Sequence, residues 1–223
     1  MILAGLVHVD GARVAQVGAQ VGEDARIEVD GPEHPFVSRG GVKLAAALDA
    51  FAIDPTGRVC ADVGASTGGF TDCLLQRGAA VVHAIDVGYG QLAWKLRTDP
   101  RVKVRERTNV RTLEPASLDP PASLAVMDAS FISLKLLLAP TLAQLAPPAE
   151  VVALVKPQFE VGRERVGRGG VVRDETDRSD AVDAVAAAGR ELGLELAGSV
   201  ESPLTGAKQG NVEIFLHFRQ PAI

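Results

Sequence analysis

Two sets of residues in this 223-residue chain have types and spacings suited to chemistry. One suits holding a nucleotide and the other suits moving a proton. The first is the run V-C-A-D-V-G-A-S-T-G-G-F over residues 59–70, followed by Asp86. Gly64, Gly68 and Gly69 let the backbone turn sharply and approach a ligand closely. An acid about 20 residues beyond such a loop stands where doubly wound folds hydrogen-bond ribose hydroxyls. The glycines are spaced G-x-x-x-G-G, with Ser66 where the dinucleotide pattern G-x-G-x-x-G has its middle glycine. Asp62, two residues before the loop, would repel a pyrophosphate and suits the cationic amino-acid end of S-adenosylmethionine. The expected cofactor is therefore S-adenosylmethionine rather than NAD. Its expected contacts are Asp62, Gly64, Ala65, Ser66, Gly68, Gly69, Phe70, Asp86, Val87 and Asp128.

The second set becomes visible once the elements are placed. Residues 59–63 read as a buried strand, and helical spacing from Phe70 stops at Gly78. Residues 81–87 form a second strand, and 102–107 a third in which Lys103, Arg105 and Arg107 alternate as charges do on a sheet edge. Strands are expected at 124–128 and 150–156, with a helix over 131–145 between them. Residues 157–175 lack periodicity and read as a lid or binding loop. A helix over 176–192 closes at Gly193, and strands at 194–202 and 212–218 complete the chain. Seven strands with intervening helices fit a parallel doubly wound sheet. The last two are joined by P-L-T-G-A-K-Q-G-N, with no helix to cross over, so the final strand should run antiparallel. That is the Rossmann-like class I methyltransferase variant of the α/β fold.

In such sheets ligands bind at the carboxyl ends of the parallel strands. Asp128 ends the fourth strand, Lys156 ends the fifth, and Glu213 opens the reversed seventh at the same edge. Lys43 opens the helix that leads back to the first strand. Two lysines and two acids thus converge beside the glycine loop. The set suits methylation of an alcohol, where the enzyme must deprotonate a weakly acidic hydroxyl and place it in line with an activated methyl. A lysine is a base only in its neutral form, which burial and a second cation favour. Lys156 is the expected base and Lys43 the cation beside it, with Asp128 and Glu213 orienting the two. Methylation of a base amino group usually accompanies an N/D-P-P-Y/F loop, and D-A-S-F stands there instead. Attack on a pyrimidine carbon needs a loop cysteine, which neither Cys60 nor Cys73 supplies.

Composition narrows the alternatives. A content of 47% hydrophobic and 23% charged residues is ordinary for a soluble domain, and no apolar run is long enough for a membrane span. Nothing near the start resembles a signal peptide, and the two cysteines read as core thiols, so a cytoplasmic location is expected. No spacing supports a metal site. The net charge of −5 counts against a generic nucleic-acid binder. Local basic clusters nevertheless occur over 95–111 and 156–173. Arg163, Arg165 and Arg168 of the second, together with Arg39, are the candidate RNA contacts.

Residues 1–32 carry short strand-like runs around turns at Asp10-Gly11 and Asp30-Gly31. They resemble the second half of an S4-type RNA-binding domain (L-x-x-G-x-V-x-V-D-G) without its helical first half. A linker over 33–37 then leads to the main domain, 38–223. There the residues V-S-R-G-G-V-K-L, D-V-G-A-S-T-G-G-F-T-D, D-V-G-Y-G-Q-L-A-W-K-L-R, E-R-T-N-V-R, D-A-S-F-I-S-L, L-V-K-P-Q-F-E-V-G and G-N-V-E-I-F-L resemble the TlyA (hemolysin A) family of FtsJ-like ribosomal RNA 2′-O-methyltransferases. The resemblance implies a K-D-K-E tetrad at Lys43, Asp128, Lys156 and Glu213. It also implies a cytidine ribose of ribosomal RNA as acceptor, and an adenine enclosed by several residues of E-R-T-N-V-R, Asn109 foremost among them. Two readings from other classes stand beside it. One is a membrane-active hemolysin, which would need amphipathic or apolar spans. The other is a non-catalytic RNA-binding or ribosome-assembly factor, which cofactor binding would separate from an enzyme.

Overall fold

The computed structural model describes residues 2, 6–14, 16–29, 34–206 and 210–220. The chain divides into two units, Met1–Pro35 and Phe36–Ile223. In the first, β1 (Val7–Val9) lies between β2 (Ala12–Arg13) and β3 (Ile27–Val29), antiparallel to both. Asp10 and Gly11 both adopt positive φ, as a two-residue hairpin turn of the D-G type requires. The turn expected at Asp30-Gly31 lies outside the described residues.

The second unit is built on seven strands: β4 (Val59–Val63), β5 (Val81–Ile85), β6 (Val102–Arg105), β7 (Ala122–Met127), β8 (Leu145–Val155), β9 (Glu195–Glu201) and β10 (Ile214–Gln220). Their order is β6-β5-β4-β7-β8-β10-β9. Neighbours from β6 to β8 are parallel, while β10 is antiparallel to β8 and β9, so the last strand is reversed as its connection demanded. Alternation along the strands divides the core into two layers. Cys60, Val82, Leu124, Val152 and Phe215 pack on the face of α1 (Arg39–Ala50), α2 (Gly69–Gln76) and α3 (Trp94–Arg97). Ala61, Ile85, Met127, Val151 and Phe218 pack on the other face against α6 (Glu175–Glu191). Both faces being covered explains why these strands read as near-continuous apolar runs.

Four local expectations are corrected. The helix expected over 131–145 is a 3₁₀ turn at Leu134–Leu136 followed by α4 (Leu138–Leu142). Its leucines keep a helical spacing, but β8 starts at Leu145 and takes up the remaining chain. That strand begins five residues earlier than expected. Pro147 and Pro148, which have no N–H to donate, fall between the pairings Ala122–Leu145 and Leu124–Glu150. At the sheet edge, β6 stops at Arg105; Arg107 has turned away with φ of 51° and lies over the Tyr89 ring at 4.2 Å. The 157–175 segment is locally ordered, with α5 (Pro157–Glu160), a 3₁₀ turn at Arg163–Arg165 and a bridge from Gly167 to Val171.

Candidate active site

A cavity of about 480 Å³ opens at the carboxyl ends of β4, β5 and β7, within the range of roughly 300–1,000 Å³ usual for small-molecule sites. Gly64, Ser66, Asp86, Val87, Asn109 and Asp128, all expected contacts, line it. Asp86 ties the loop to the strand end, since Oδ2 accepts from Ser66 N at 2.7 Å and Oδ1 from Gly88 N at 2.6 Å. A carboxylate has about four lone-pair sites, so it keeps acceptor capacity toward the cavity. Asn109 Oδ1 is taken by Arg111 N at 3.1 Å, which leaves its amide N–H groups as donors. Gly64 has φ of 87°, and a Cβ there would lie 2.7 Å from Asp128 O, so β4 and β7 converge too closely for a side chain. Apolar walls come from Val63, Ile85, Val110 and Leu137. Thr108, from the E-R-T-N-V-R run, lines the cavity as well, while Phe131, Ile132 and Gln91 also line it and were missed from sequence. Their signal was membership of the D-A-S-F-I-S-L and D-V-G-Y-G-Q-L-A-W-K-L-R runs at the strand ends.

Five expected contacts sit elsewhere. A Cβ on Gly68 would lie 2.3 Å from Leu96 Cδ1, and one on Gly69 would lie 2.2 Å from Ser38 Oγ. These glycines let the helices close against one another. Phe70 is buried, with its ring 6.0 Å from that of Phe215, and Ala65 is buried too. Asp62 is fully buried, not open to a ligand. Its Oδ2 accepts from Thr71 Oγ1 at 2.6 Å, while Oδ1 has no hydrogen-bond partner among the described residues. Burial pushes this carboxyl up to about 7, partly opposed by the Thr71 bond and reinforced by the charges of Asp128 and Asp86.

The four charges do meet at one edge. Ile214 pairs with Val155, so Glu213 and Lys156 are the next residues at the same end of the ladder. Lys43, from the first turns of α1, reaches Glu213 Oε2 at 2.5 Å, with side chains only 9% and 3% exposed. Lys156 Nζ lies 2.5 Å from Asp128 Oδ1 and donates to Ser130 Oγ at 2.8 Å. The expectation had Asp128 and Glu213 orient the two lysines without saying which acid serves which; in the structure Glu213 pairs with Lys43 and Asp128 with Lys156. Ser130 was not anticipated, although it stands two residues past Asp128. Cys60 and Cys73 are buried thiols pushed up to about 12, mainly by burial, and offer no nucleophile.

The expected RNA contacts separate. Arg39, Arg163 and Arg168 are exposed, Arg39 with a 3.5 Å contact to Thr205 O. Arg165 instead pairs with Asp180 at 2.6 Å and Asp177 at 3.3 Å, both on α6, so its charge holds the loop to the helix.

Residues 36–220 match the FtsJ-like methyltransferase family. The 16S/23S rRNA (cytidine-2'-O)-methyltransferase TlyA of Mycobacterium tuberculosis is 50% identical over 220 residues, covering 98% of this chain and 82% of that protein. Hemolysin A of Brachyspira hyodysenteriae is 39% identical over 219 residues, 98% of this chain and 90% of that one. A Streptococcus thermophilus protein of known structure, described as a hemolysin, superposes with a TM-score of 0.84 at 40% identity, over 99% of this chain and 80% of that one. Among the described residues no helix is long and apolar enough to cross a membrane. With the sheet order, the cavity and these matches in agreement, the chain belongs to the FtsJ-like methyltransferase family, among the relatives named TlyA and hemolysin A.

Proposed function

We propose that this protein transfers a methyl group from S-adenosylmethionine to the ribose 2′-hydroxyl of a cytidine in ribosomal RNA, in the cytoplasm. The observation that carries the reading is the pairing of Lys156 with Asp128, and of Lys43 with Glu213, on the sheet edge beside the cavity. The name of the Mycobacterium tuberculosis relative supports the choice of cytidine and ribosomal RNA.

The cavity's chemistry fits the cofactor. Asp86 would accept from the ribose hydroxyls, the apolar walls and the Asn109 amide would enclose adenine, and Asp128 would face the cationic end. Bound there, S-adenosylmethionine supplies a methyl group on a sulfonium, already activated for displacement. Lys156 takes the proton of the acceptor hydroxyl, Asp128 holds that lysine in place, and Glu213 holds Lys43 where it can anchor the acceptor. Arg39, Arg163 and Arg168 are exposed and can meet phosphates, and the three-stranded first unit is read as the S4-like remnant that shares the docking.

The test is transfer of labelled methyl to ribosomal RNA followed by digestion to nucleosides. The expected product is 2′-O-methylcytidine. Label on a base, or no transfer from protein that binds S-adenosylmethionine by calorimetry, would overturn the reading.

A further inference from the structure

Ser130 adds a step to the chemistry, resting on the reading of Lys156 as the base. The Lys156 side chain is 11% exposed, and its nitrogen is held between Asp128 Oδ1 at 2.5 Å and Ser130 Oγ at 2.8 Å. Ser130, by contrast, is exposed and lines the cavity together with Asp128. An alcohol brought to this edge therefore meets an accessible oxygen before a largely covered nitrogen. A hydroxyl both donates and accepts, and its hydrogen rotates to suit. Ser130 accepts from the lysine in its ammonium form and can donate to the same nitrogen once that nitrogen is neutral.

We propose that Ser130 is a catalytic residue that relays the acceptor's proton to Lys156. The acceptor O–H bond breaks and its proton passes to Ser130 Oγ. Ser130's own hydroxyl proton passes at the same time to the lone pair of Lys156 Nζ. The electron pair freed on the acceptor oxygen bonds the incoming methyl carbon, and the electrons of the old carbon–sulfur bond stay on sulfur as a neutral thioether. Serine ends as it began, and Lys156 ends as an ammonium opposite Asp128.

The experiment is single-turnover transfer of labelled methyl to ribosomal RNA at saturating cofactor, in wild type, Ser130→Ala, Ser130→Gly, Ser130→Thr and Lys156→Ala. Deleting the hydroxyl as alanine or glycine should lower the rate at saturating RNA on the order of 10²-fold, the lower end for a positioned proton-transfer group. Cofactor binding by calorimetry should persist, which shows that the variants fold. Ser130→Thr, which keeps a hydroxyl, should recover most of the loss. In mixtures of light and heavy water the wild-type rate should bow below a straight line, because two protons move together, while Ser130→Ala should give a line. Wild-type rates in Ser130→Ala and Ser130→Gly, with Lys156→Ala inactive, overturn the relay and leave the base standing. A loss in Ser130→Thr as deep as in Ser130→Ala also overturns the relay. Full activity in Lys156→Ala overturns the base itself.

Discussion

Strands β8 and β10 carry a charge network at each end, and the two networks are built differently. At the end away from the cavity, Arg58 donates to Glu150 Oε1 at 2.7 Å, to Ser123 Oγ at 3.1 Å and to Ser123 O at 2.7 Å. Glu150 Oε2 lies 2.7 Å from His217 Nε2, and the His217 ring stacks on Phe51 with centroids 5.2 Å apart. Both carboxylate oxygens are thus engaged by protein donors. Burial alone would raise the Glu150 carboxyl, but hydrogen bonds from Arg58 and His217 outweigh it and leave it below its ordinary value. At the cavity end the charges also pair, yet Ser130 is left exposed and Asp128 lines open volume. A network whose valences are filled from within holds strands together. One that keeps accessible donors and acceptors beside a cavity can still bind and react.

The sharpest way to break this contrast is Lys156→Ala. It should remove methyl transfer by a factor of roughly 10²–10⁴ while folding and cofactor affinity persist, as for the loss of a positioned base. Lys156→Arg should be nearly as inactive, because a guanidinium stays protonated. Substantial activity in either variant would make the cavity end as structural as the far end. Next in size, Lys43→Ala leaves Glu213 buried without a counter-charge, which should cost on the order of 3–5 kcal/mol in denaturant unfolding. Glu150→Gln, at a partly exposed pair, should cost only about 1 kcal/mol and leave transfer intact. Loss of transfer in folded Glu150→Gln would erase the distinction between the ends.

Asp86→Ala should weaken S-adenosylmethionine binding by about 1.5–3 kcal/mol, the usual loss for hydrogen bonds to a charged acceptor. Calorimetry would read it, and an unchanged affinity would move the cofactor out of this cavity. Two buried groups, Asp62 on β4 and His217 on β10, should also respond oppositely to pH. Asp62 holds its proton in the native state up to about 7, while the unfolded carboxyl releases it near 3.8. Its stabilising contribution is complete below the lower value and is lost as pH rises through the higher one. His217 is held below its ordinary 6.5, mainly by burial. The unfolded histidine therefore protonates first as pH falls, and stability on its account is lost below that value. Unfolding of Asp62→Asn against wild type should show a stability difference that grows across the interval from 3.8 to about 7. A flat difference would show that Asp62 is ionised in the fold.

The smallest effect concerns the loop arginines. Neutralising Arg163 and Arg168 should flatten the log–log salt dependence of RNA binding by about one for each lost phosphate contact. Arg165→Gln should leave that slope unchanged, since its charge is committed to α6. A slope that follows Arg165 instead would mean the α6 pairing opens on RNA.

Strand and helix order was legible in the sequence, because apolar periodicity reports which face of an element is buried. The reversed β10 was legible too, since the nine residues P-L-T-G-A-K-Q-G-N cannot cross back over the sheet. Those two facts were enough to set Lys43, Asp128, Lys156 and Glu213 at one edge. What they could not supply was pairing. Lys43 and Glu213 are 170 positions apart, and their 2.5 Å contact depends on how α1 seats against the sheet. The same holds for Gly68, Gly69 and Phe70, where a ligand-binding pattern and a packing requirement look alike as strings. Only the side chains of Leu96, Ser38 and Phe215 show that packing makes its own demand at these positions. Ser130 stayed hidden for a related reason. Nothing local marks a serine after a strand as a partner of a lysine 26 positions on, and only the parallel pairing of β7 with β8 brings them together.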